Sequence, residues 1–598
     1  MAIVPLVRVT LYGTAEQQAT VLDELQELGC LHLVNLMQNG SSSHTAPRLS
    51  ADAHQAVKYL RTCPTQRRDV KDGTGFHLDE VLQEARRIEQ QQQRLQEERD
   101  QLLQAIRGLE PWGDFHLPTV GELGNLRFWF YVIPHYRLSS LLAQELVWHV
   151  AARDHRFAYV VVIAVNEPRA MPVARTQLDN RPLSDLSQRL ETVESELEEL
   201  HWQRVALTRW NHWLSRTIAL SEDRAAHERA SQYAWRDSSM FAIQGWLPTK
   251  WSDQLRSLAR THALGLTIEP PSCGDRPPTL LDNRGLTAGG QDAVTFYATP
   301  DYRAWDPSTI VFFSFSVFFA MIVADAGYAL LLAGLLILLW RRFGRSAGER
   351  RFRKLLLAIV IASAGYGIAA GSYFGVAPAR GSVWQALHVI DTADTSLMMQ
   401  FSIAIGVVHL SLANLALAWS RRWAPTMLSS FGWITILFGG LALGLGKSGT
   451  SPDVALTQYG GWAITAGIAT VLLFSSERPL LSLNWRDHGI RIIDGVKSLT
   501  GVTRAFGDVL SYLRLFALGL ASAQLAATFN DLVYQASCCV GIGTLLAGLV
   551  VVFGHGLNFS LAIMSGVVHG LRLNCIEFFG WGLPDEGYPF EPFCKRAV

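Results

Sequence analysis

The sequence predicts an α-helical membrane protein with eight transmembrane helices, extended by an elongated cytoplasmic α+β arm in which an antiparallel coiled coil joins two α/β lobes. Three observations carry this expectation. Residues 1–300 mix charged helical stretches with short strand-like runs, whereas long apolar segments follow one another from Ile310. Two charged segments of the first half carry matching heptad seams. The connections between apolar segments alternate between rich and poor in Lys and Arg. A chain of 598 residues exceeds what a single core organises, and the main boundary is expected between an arm, 1–300, and a membrane domain, 301–598.

In the arm, the run Val4–Leu11, a helix-like stretch ending at Gly29 and the run Leu31–Leu36 predict part of a proximal α/β lobe, assigned to 1–75 plus 225–300. From Val81 to Leu109 the positions at 3-4 spacing are apolar except Gln92 and Arg99. Such a seam needs a partner helix. The spacing recurs at Leu186, Leu190, Val193, Leu197, Leu200, Arg204, Leu207, Asn211 and Leu214, so 78–110 is expected to pair antiparallel with 183–216. Between them, the β-rich runs Arg127–Pro134 and Phe157–Val165 flank a helix-like segment and predict a distal lobe at 111–182. The block Met240–Glu269 returns the chain to the proximal lobe.

Apolar stretches at about 309–323, 327–340, 355–373, 398–419, 428–446, 460–476, 505–530 and 541–570 fit membrane spans, the first two short and closely coupled. The connection 341–354 holds seven basic residues, and further Lys and Arg lie in connections of the same parity. That parity is expected to be cytoplasmic, with both termini on the same side. The amino terminus reaches Arg8 too early for a signal peptide, which agrees. Lys plus Arg (52) balances Asp plus Glu (52), so no nucleic-acid partner is expected. Seven cysteines without a C-x-x-C pair suggest neither a metal site nor a disulfide framework. The stretch Leu441–Ser448 nearly matches a phosphate-binding loop, but Leu441 stands in place of the first glycine at the end of an apolar span, so no nucleotide is expected there. Neither a catalytic site nor a bound cofactor is expected in this chain.

The chemistry concentrates in the last two spans. Arg514 and Arg572 both fall where the chain should cross hydrocarbon, and an arginine there usually faces a cavity or a partner. Asn558, Ser565, His569 and Arg572 are spaced 7, 4 and 3, one helical stripe. In the preceding span Arg504, Asp508, Ser511 and Ser522 fall beside Arg514, with Gly519, Ala521 and Ala523 permitting close helix contact. Two polar stripes facing one another would conduct protons or hydrated ions. His409 and Asp325 are read as packing or boundary residues.

The runs SYLRLFALGLASAQLA (511–526) and FGHGLNFSLAIMSGVVHGLRLNCIEFFG (553–580) resemble the two signature helices of the A/V-type ATPase membrane stator, called subunit a or subunit I. MAIVPLVRVTLYG at the start, GWLP (245–248), the run 297–328 and IGVVH (405–409) agree along the chain. The resemblance implies two long tilted helices facing a proteolipid (c/K) ring in a bacterial or archaeal-type plasma membrane. It further implies peripheral-stalk partners of E/G type, a central-stalk partner of d/C type, and H⁺ or Na⁺ as the transported ion, with Arg514 and Arg572 serving translocation. With the Arg514 span running outward and the last span inward, Ser522, Gln524, His555, Asn558 and Ser565 are candidates for an outer half-channel. Asp508, Ser511, Asn574 and Glu577 are candidates for an inner one, with His569 beside the arginines. The eukaryotic relatives carry a histidine where this chain has Ser522 and a glutamate where it has Ala562, so their outer route does not transfer.

Overall fold

Strand formation follows the β-branched and aromatic runs of the first 270 residues. The computed structural model describes residues 3–37, 49–116, 124, 126–140, 146–168, 171–179, 181–392, 394–421, 424–448, 453–476, 478, 485–538, 542–583 and 585–596. The chain divides into two compact units, one comprising Met1–Gln18, Cys30–Leu36 and Ala234–Phe593, the other Ala19–Gly29, Met37–Tyr233 and Cys594–Val598.

In the first unit, strand Met240–Pro248 lies between Leu6–Thr14 and His32–Val34, and Gly265–Glu269 pairs with the outer side of Leu6–Thr14, all antiparallel. Met240–Pro248 is buried along nearly its whole length, as a central strand should be. This sheet groups with the helices that follow residue 300. The Leu6 amide donates to the Tyr302 hydroxyl at 2.9 Å, and the tail returns beside Thr279 and Pro300, with the Phe590 amide donating to the Thr279 carbonyl and the Phe593 amide to that of Leu31.

In the second unit, helix Leu78–Leu109 packs against Leu183–Leu207 through Leu95, Leu102, Ile106 and Leu109 on one side and Leu186, Leu190, Val193 and Leu197 on the other. The pairs Glu98–Arg189 and Arg87–Gln203 descend one helix while climbing the other, so the two run antiparallel. The second seam does not continue unbroken to 216. A 3₁₀ turn at Thr208–Trp210 interrupts it, and beyond the turn Trp210, Leu214 and Ile218 share a core with Val81, Leu82 and Ala85 and with a third helix, Leu49–Arg61. The distal sheet has the order Arg127–Pro134, Phe157–Ala164, Val147–Arg153. Its third strand corrects the helix-like reading of that segment: pairing with Val160–Ile163 overrides a weak helical pattern.

Five helical runs among the described residues are long and apolar enough to cross a membrane: Ala347–Ala370, Thr395–Ser420, Met427–Ser448, Gly489–Ser537 and Gly543–Gly582. Ser308–Val323 and Ala326–Leu339 are apolar but shorter. Gln458 and Tyr459 dilute the apolarity of Val454–Phe474, which nevertheless packs tightly against Met427–Ser448. Glycines make that closeness possible: a Cβ on Gly467 would stand 2.7 Å from the Gly432 carbonyl oxygen, and one on Gly460 would stand 2.8 Å from that of Gly439. Replacing Gly467 by Ala is therefore expected to destabilise the hairpin by about 1–3 kcal/mol despite alanine's better helix propensity. Gly461→Ala, where nothing lies within 4 Å, should be neutral or stabilising; thermal unfolding of the two variants in lipid nanodiscs makes the comparison.

Candidate functional site at the two arginine-bearing helices

The stretch preceding Arg514 is not one straight helix. Gly501–Ser511 ends at Tyr512, and Leu513–Ser537 begins after it. Tyr512 is fully buried and its hydroxyl lies 2.7 Å from His409 Nδ1, whose ring stacks on Phe578 at 4.4 Å. His409 thus holds the break in place. The break also divides the expected stripe, leaving Arg504, Asp508 and Ser511 on the first piece and Ser522 on the second.

The last helix is continuous from Gly543 to Gly582 but carries two π-helical turns, Val551–His555 and Leu573–Phe578, on either side of Gly556–Arg572. Such turns re-aim side chains within a helix and recur at functional sites. Here they hold His555 at one end, and Asn574 and Glu577 at the other. Both arginine-bearing helices lie close against Ser308–Val323: a Cβ on Gly519 would meet the Met321 carbonyl oxygen at 2.6 Å, and one on Gly566 would meet the Phe319 ring at 2.7 Å. Gly519 makes the expected close contact, whereas Ala521 faces outward.

Three groups of polar residues result. At the Arg572 end, the Ser511 hydroxyl donates to Glu577 Oε1 at 2.5 Å, and Trp581 Nε1 donates to Asp508 Oδ2 at 2.7 Å. These bonds tie the two helices together. Arg504 stands 3.4 Å from Asp508, and the Ser314 hydroxyl donates to Asn574 Oδ1 at 2.5 Å. Glu577 is 3% exposed, and its Oε2 has no hydrogen-bond partner among the described residues.

The middle group is Arg514, His569 and Arg572, which lie within electrostatic reach of one another, with Glu577 in reach of the two arginines. Arg514 is half-buried, and its Nη1 has no hydrogen-bond partner among the described residues. The same holds for His569 Nδ1. Arg572 is more exposed, with Nε 3.9 Å from Glu577 Oε1, a long pair. The site therefore keeps one guanidinium nitrogen buried and without a partner among the described residues, although an unpaired buried donor usually costs about 1–3 kcal/mol.

The third group is a closed chain of hydrogen bonds. Asn558 Nδ2 donates to the Ser522 carbonyl (2.9 Å) and to the Tyr328 hydroxyl (2.8 Å). The Tyr328 hydroxyl donates to His555 Nδ1 (3.0 Å), His555 Nε2 donates to Asn530 Oδ1 (3.1 Å), and Asn530 Nδ2 donates to the Phe374 carbonyl (2.7 Å). One direction of donation satisfies every member, which fixes the His555 tautomer. Asp325 anchors two members of this network: its Oδ1 accepts from the amides of Tyr328 and Phe374, and its Oδ2 accepts from the Gly375 amide and the Ser372 hydroxyl. Removing the Tyr328 hydroxyl (Tyr328→Phe) strands one N–H of the Asn558 amide and His555 Nδ1 and should lower stability by roughly 1–3 kcal/mol. The thermal midpoint of the purified chain measures this.

Of the twelve residues singled out in the sequence, the structure joins His555 and Asn558 in one network that Ser522 enters only through its carbonyl, its hydroxyl having no partner among the described residues, and Ser511 and Glu577 in one bond. It places Arg514, His569 and Arg572 together and leaves Gln524 exposed; Ser565 is half-buried between the groups. Tyr328, Asn530, Ser314 and Trp581 were not anticipated. Asn530 closes a predicted span and Tyr328 ends the run 297–328, but nothing local in either segment reveals its partner. Among the described residues, no three His, Cys, Asp or Glu side chains are grouped to hold a metal ion.

No family model matches the chain. It is 26% identical over 635 residues to V-type ATP synthase subunit I 1 of Treponema pallidum, covering 99% of this chain and all of the relative. It is 29% identical over 423 residues to V-type ATP synthase subunit I of Chlamydia pneumoniae, covering 60% of this chain and 61% of that protein. It is 25% identical over 461 residues to A-type ATP synthase subunit I of Methanocaldococcus jannaschii, covering 69% and 63%. The chain is a homologue of the subunit I proteins of V-type and A-type ATP synthases, shared by bacteria and archaea.

Proposed function

We propose that this chain is the membrane stator subunit of a rotary A/V-type ATPase or ATP synthase, coupling rotation of a proteolipid ring to movement of H⁺ or Na⁺. The observation that carries the proposal is Arg514, a half-buried guanidinium whose Nη1 is left without a hydrogen-bond partner among the described residues. A ring carboxylate crosses lipid neutral and must release its ion on meeting the stator. A fixed guanidinium beside it favours the ionised form, and arginine keeps its charge throughout. The same charge bars a direct leak between two half-channels.

In this reading the membrane part has eight spans, with Ser308–Val323, Ala326–Leu339 and Val454–Phe474 completing the set, and both termini are cytoplasmic. Asp508, Ser511, Asn574 and Glu577 line the inner half-channel; Ser522, Gln524, His555, Asn558 and Ser565 line or support the outer one, and His569 and Arg572 assist Arg514. The paired helices Leu78–Leu109 and Leu183–Leu207 form a coiled-coil strut whose lobes meet peripheral-stalk subunits and a central-stalk subunit. ATP chemistry belongs to other subunits.

Ala517 and Ala521 lie one and two turns beyond Arg514 and are exposed. A cysteine at either position should form a disulfide with a cysteine beside the ion-binding carboxylate of the ring when the intact complex is mildly oxidised. Failure at both positions, with cross-links instead at the opposite face of the helix, refutes the orientation.

A further inference from the structure

The helical run that begins at Gly489 and ends at Ser537 is 49 residues long. At 1.5 Å per residue it would extend about 74 Å, more than twice a hydrocarbon core of roughly 30 Å. The run is made of three helices, and the last, Leu513–Ser537, at 25 residues or about 38 Å is long enough to cross that core by itself, so the separate helix Trp485–Leu499 is not needed for the crossing.

Three attachments hold one face of that helix against the end of Val454–Phe474. Arg491, only 9% exposed, donates from Nη2 to the Leu473 carbonyl at 2.5 Å and from Nη1 to the Arg478 carbonyl at 3.4 Å. The Ser476 hydroxyl donates to Asp494 Oδ2 at 2.9 Å. Gly495 lies so close that a Cβ would stand 2.5 Å from the Leu472 carbonyl oxygen. These contacts determine which side faces outward. Ile492, Ile493 and Val496 occupy it, 65%, 64% and 56% exposed. By helical spacing, the exposed basic residues Arg486 and Lys497 lie together along one edge of this apolar strip, whereas Asp494 falls near the opposite side.

An apolar strip edged by basic residues, on a helix docked where an apolar helix ends, matches a segment lying in the plane of the membrane surface. We propose that Trp485–Leu499 is an interfacial anchor whose Ile492, Ile493 and Val496 enter the acyl boundary while Arg486 and Lys497 bind anionic phospholipid headgroups. Basic residues at such a position each favour anionic lipid by roughly fivefold. The inference depends on membrane insertion of the chain and not on ion coupling. The anchor would fix the depth at which the Arg514 helix enters the bilayer.

The test places the photo-reactive residue benzoylphenylalanine at 493 in the intact complex, reconstituted in phosphatidylcholine vesicles with and without phosphatidylglycerol, and identifies adducts by mass. The expected result is a phospholipid adduct in which phosphatidylglycerol exceeds its share of the bilayer. Arg486→Glu with Lys497→Glu should remove that excess. Absence of any lipid adduct, an adduct with another subunit, or labelling that ignores headgroup charge overturns the proposal. Where substitution at 493 prevents assembly, position 496 gives the same readout.

Discussion

An Arg514→Gln complex is expected to assemble and hydrolyse ATP while ATP-driven ion transport falls between roughly tenfold and thousandfold. The range follows from the guanidinium's task. An opposite charge within a few ångströms lowers a carboxylate's pKa by about 1–3 units, which is the factor by which the ionised ring carboxylate becomes accessible at the stator. Glutamine matches much of the side chain's volume and supplies hydrogen-bond donors but no charge, so a ring site meeting it keeps its ion. Arg572→Gln should have a smaller effect, because Arg572 is more exposed and already lies 3.9 Å from Glu577. Ion uptake into vesicles containing the complete complex, followed together with ATP hydrolysis, separates loss of coupling from loss of assembly. Equal transport by wild type and Arg514→Gln refutes the role assigned to the guanidinium.

The second large effect is expected at a residue that touches no ion in this account. Asp325→Ala should destabilise the membrane part by about 4 kcal/mol or more. The carboxylate is 4% exposed and accepts four hydrogen bonds, from three backbone amides and the Ser372 hydroxyl. Each donor stranded in an apolar interior costs about 1–3 kcal/mol. Two neighbours are also held in the left-handed region, Ala324 at φ +50° and Phe374 at φ +53°, a conformation that persists only while the surroundings impose it. Asp325→Asn keeps one acceptor oxygen and should lose less. Thermal unfolding in nanodiscs orders the variants wild type, Asn, Ala; an Ala variant as stable as wild type contradicts the anchoring role. Because Phe374 and Tyr328 both belong to the His555 network, Asp325→Ala should also loosen both arginine-bearing helices.

How much of this was legible in the sequence depends on the range of the interaction. Strand Leu6–Thr14 and the strands Arg127–Pro134 and Phe157–Ala164 announce themselves by local composition. So does the 3-4 seam that places Leu186 and Val193 against Leu102 and Leu109. The positions of Arg514 and Arg572 in apolar surroundings are equally local facts. The breaks were not legible: nothing in SYLRLF shows that the helix pauses at Tyr512, because the pause is sustained by His409, 103 residues away in sequence. The π turns that carry His555 and Glu577 likewise leave no periodic trace, and they shift the register on which the polar stripes were drawn. Tyr328 and His555 are 227 residues apart, and only the packed helices bring them together. Eight apolar stretches were read, and among the described residues five helical runs have both the length and the apolarity of a span. The two pieces either side of Asp325 fall short because the chain breaks there to make the carboxylate's nest.

The central claim is that Arg514 Nη1, which has no hydrogen-bond partner among the described residues, is held to meet a carboxylate carried past it. A structure of the intact complex, at a resolution that shows side chains, measures this directly through the group facing Arg514 Nη1. The account predicts a ring carboxylate within about 4 Å in at least one rotational state. A carboxylate of this same chain in that place, or lipid with the ring elsewhere, would contradict it.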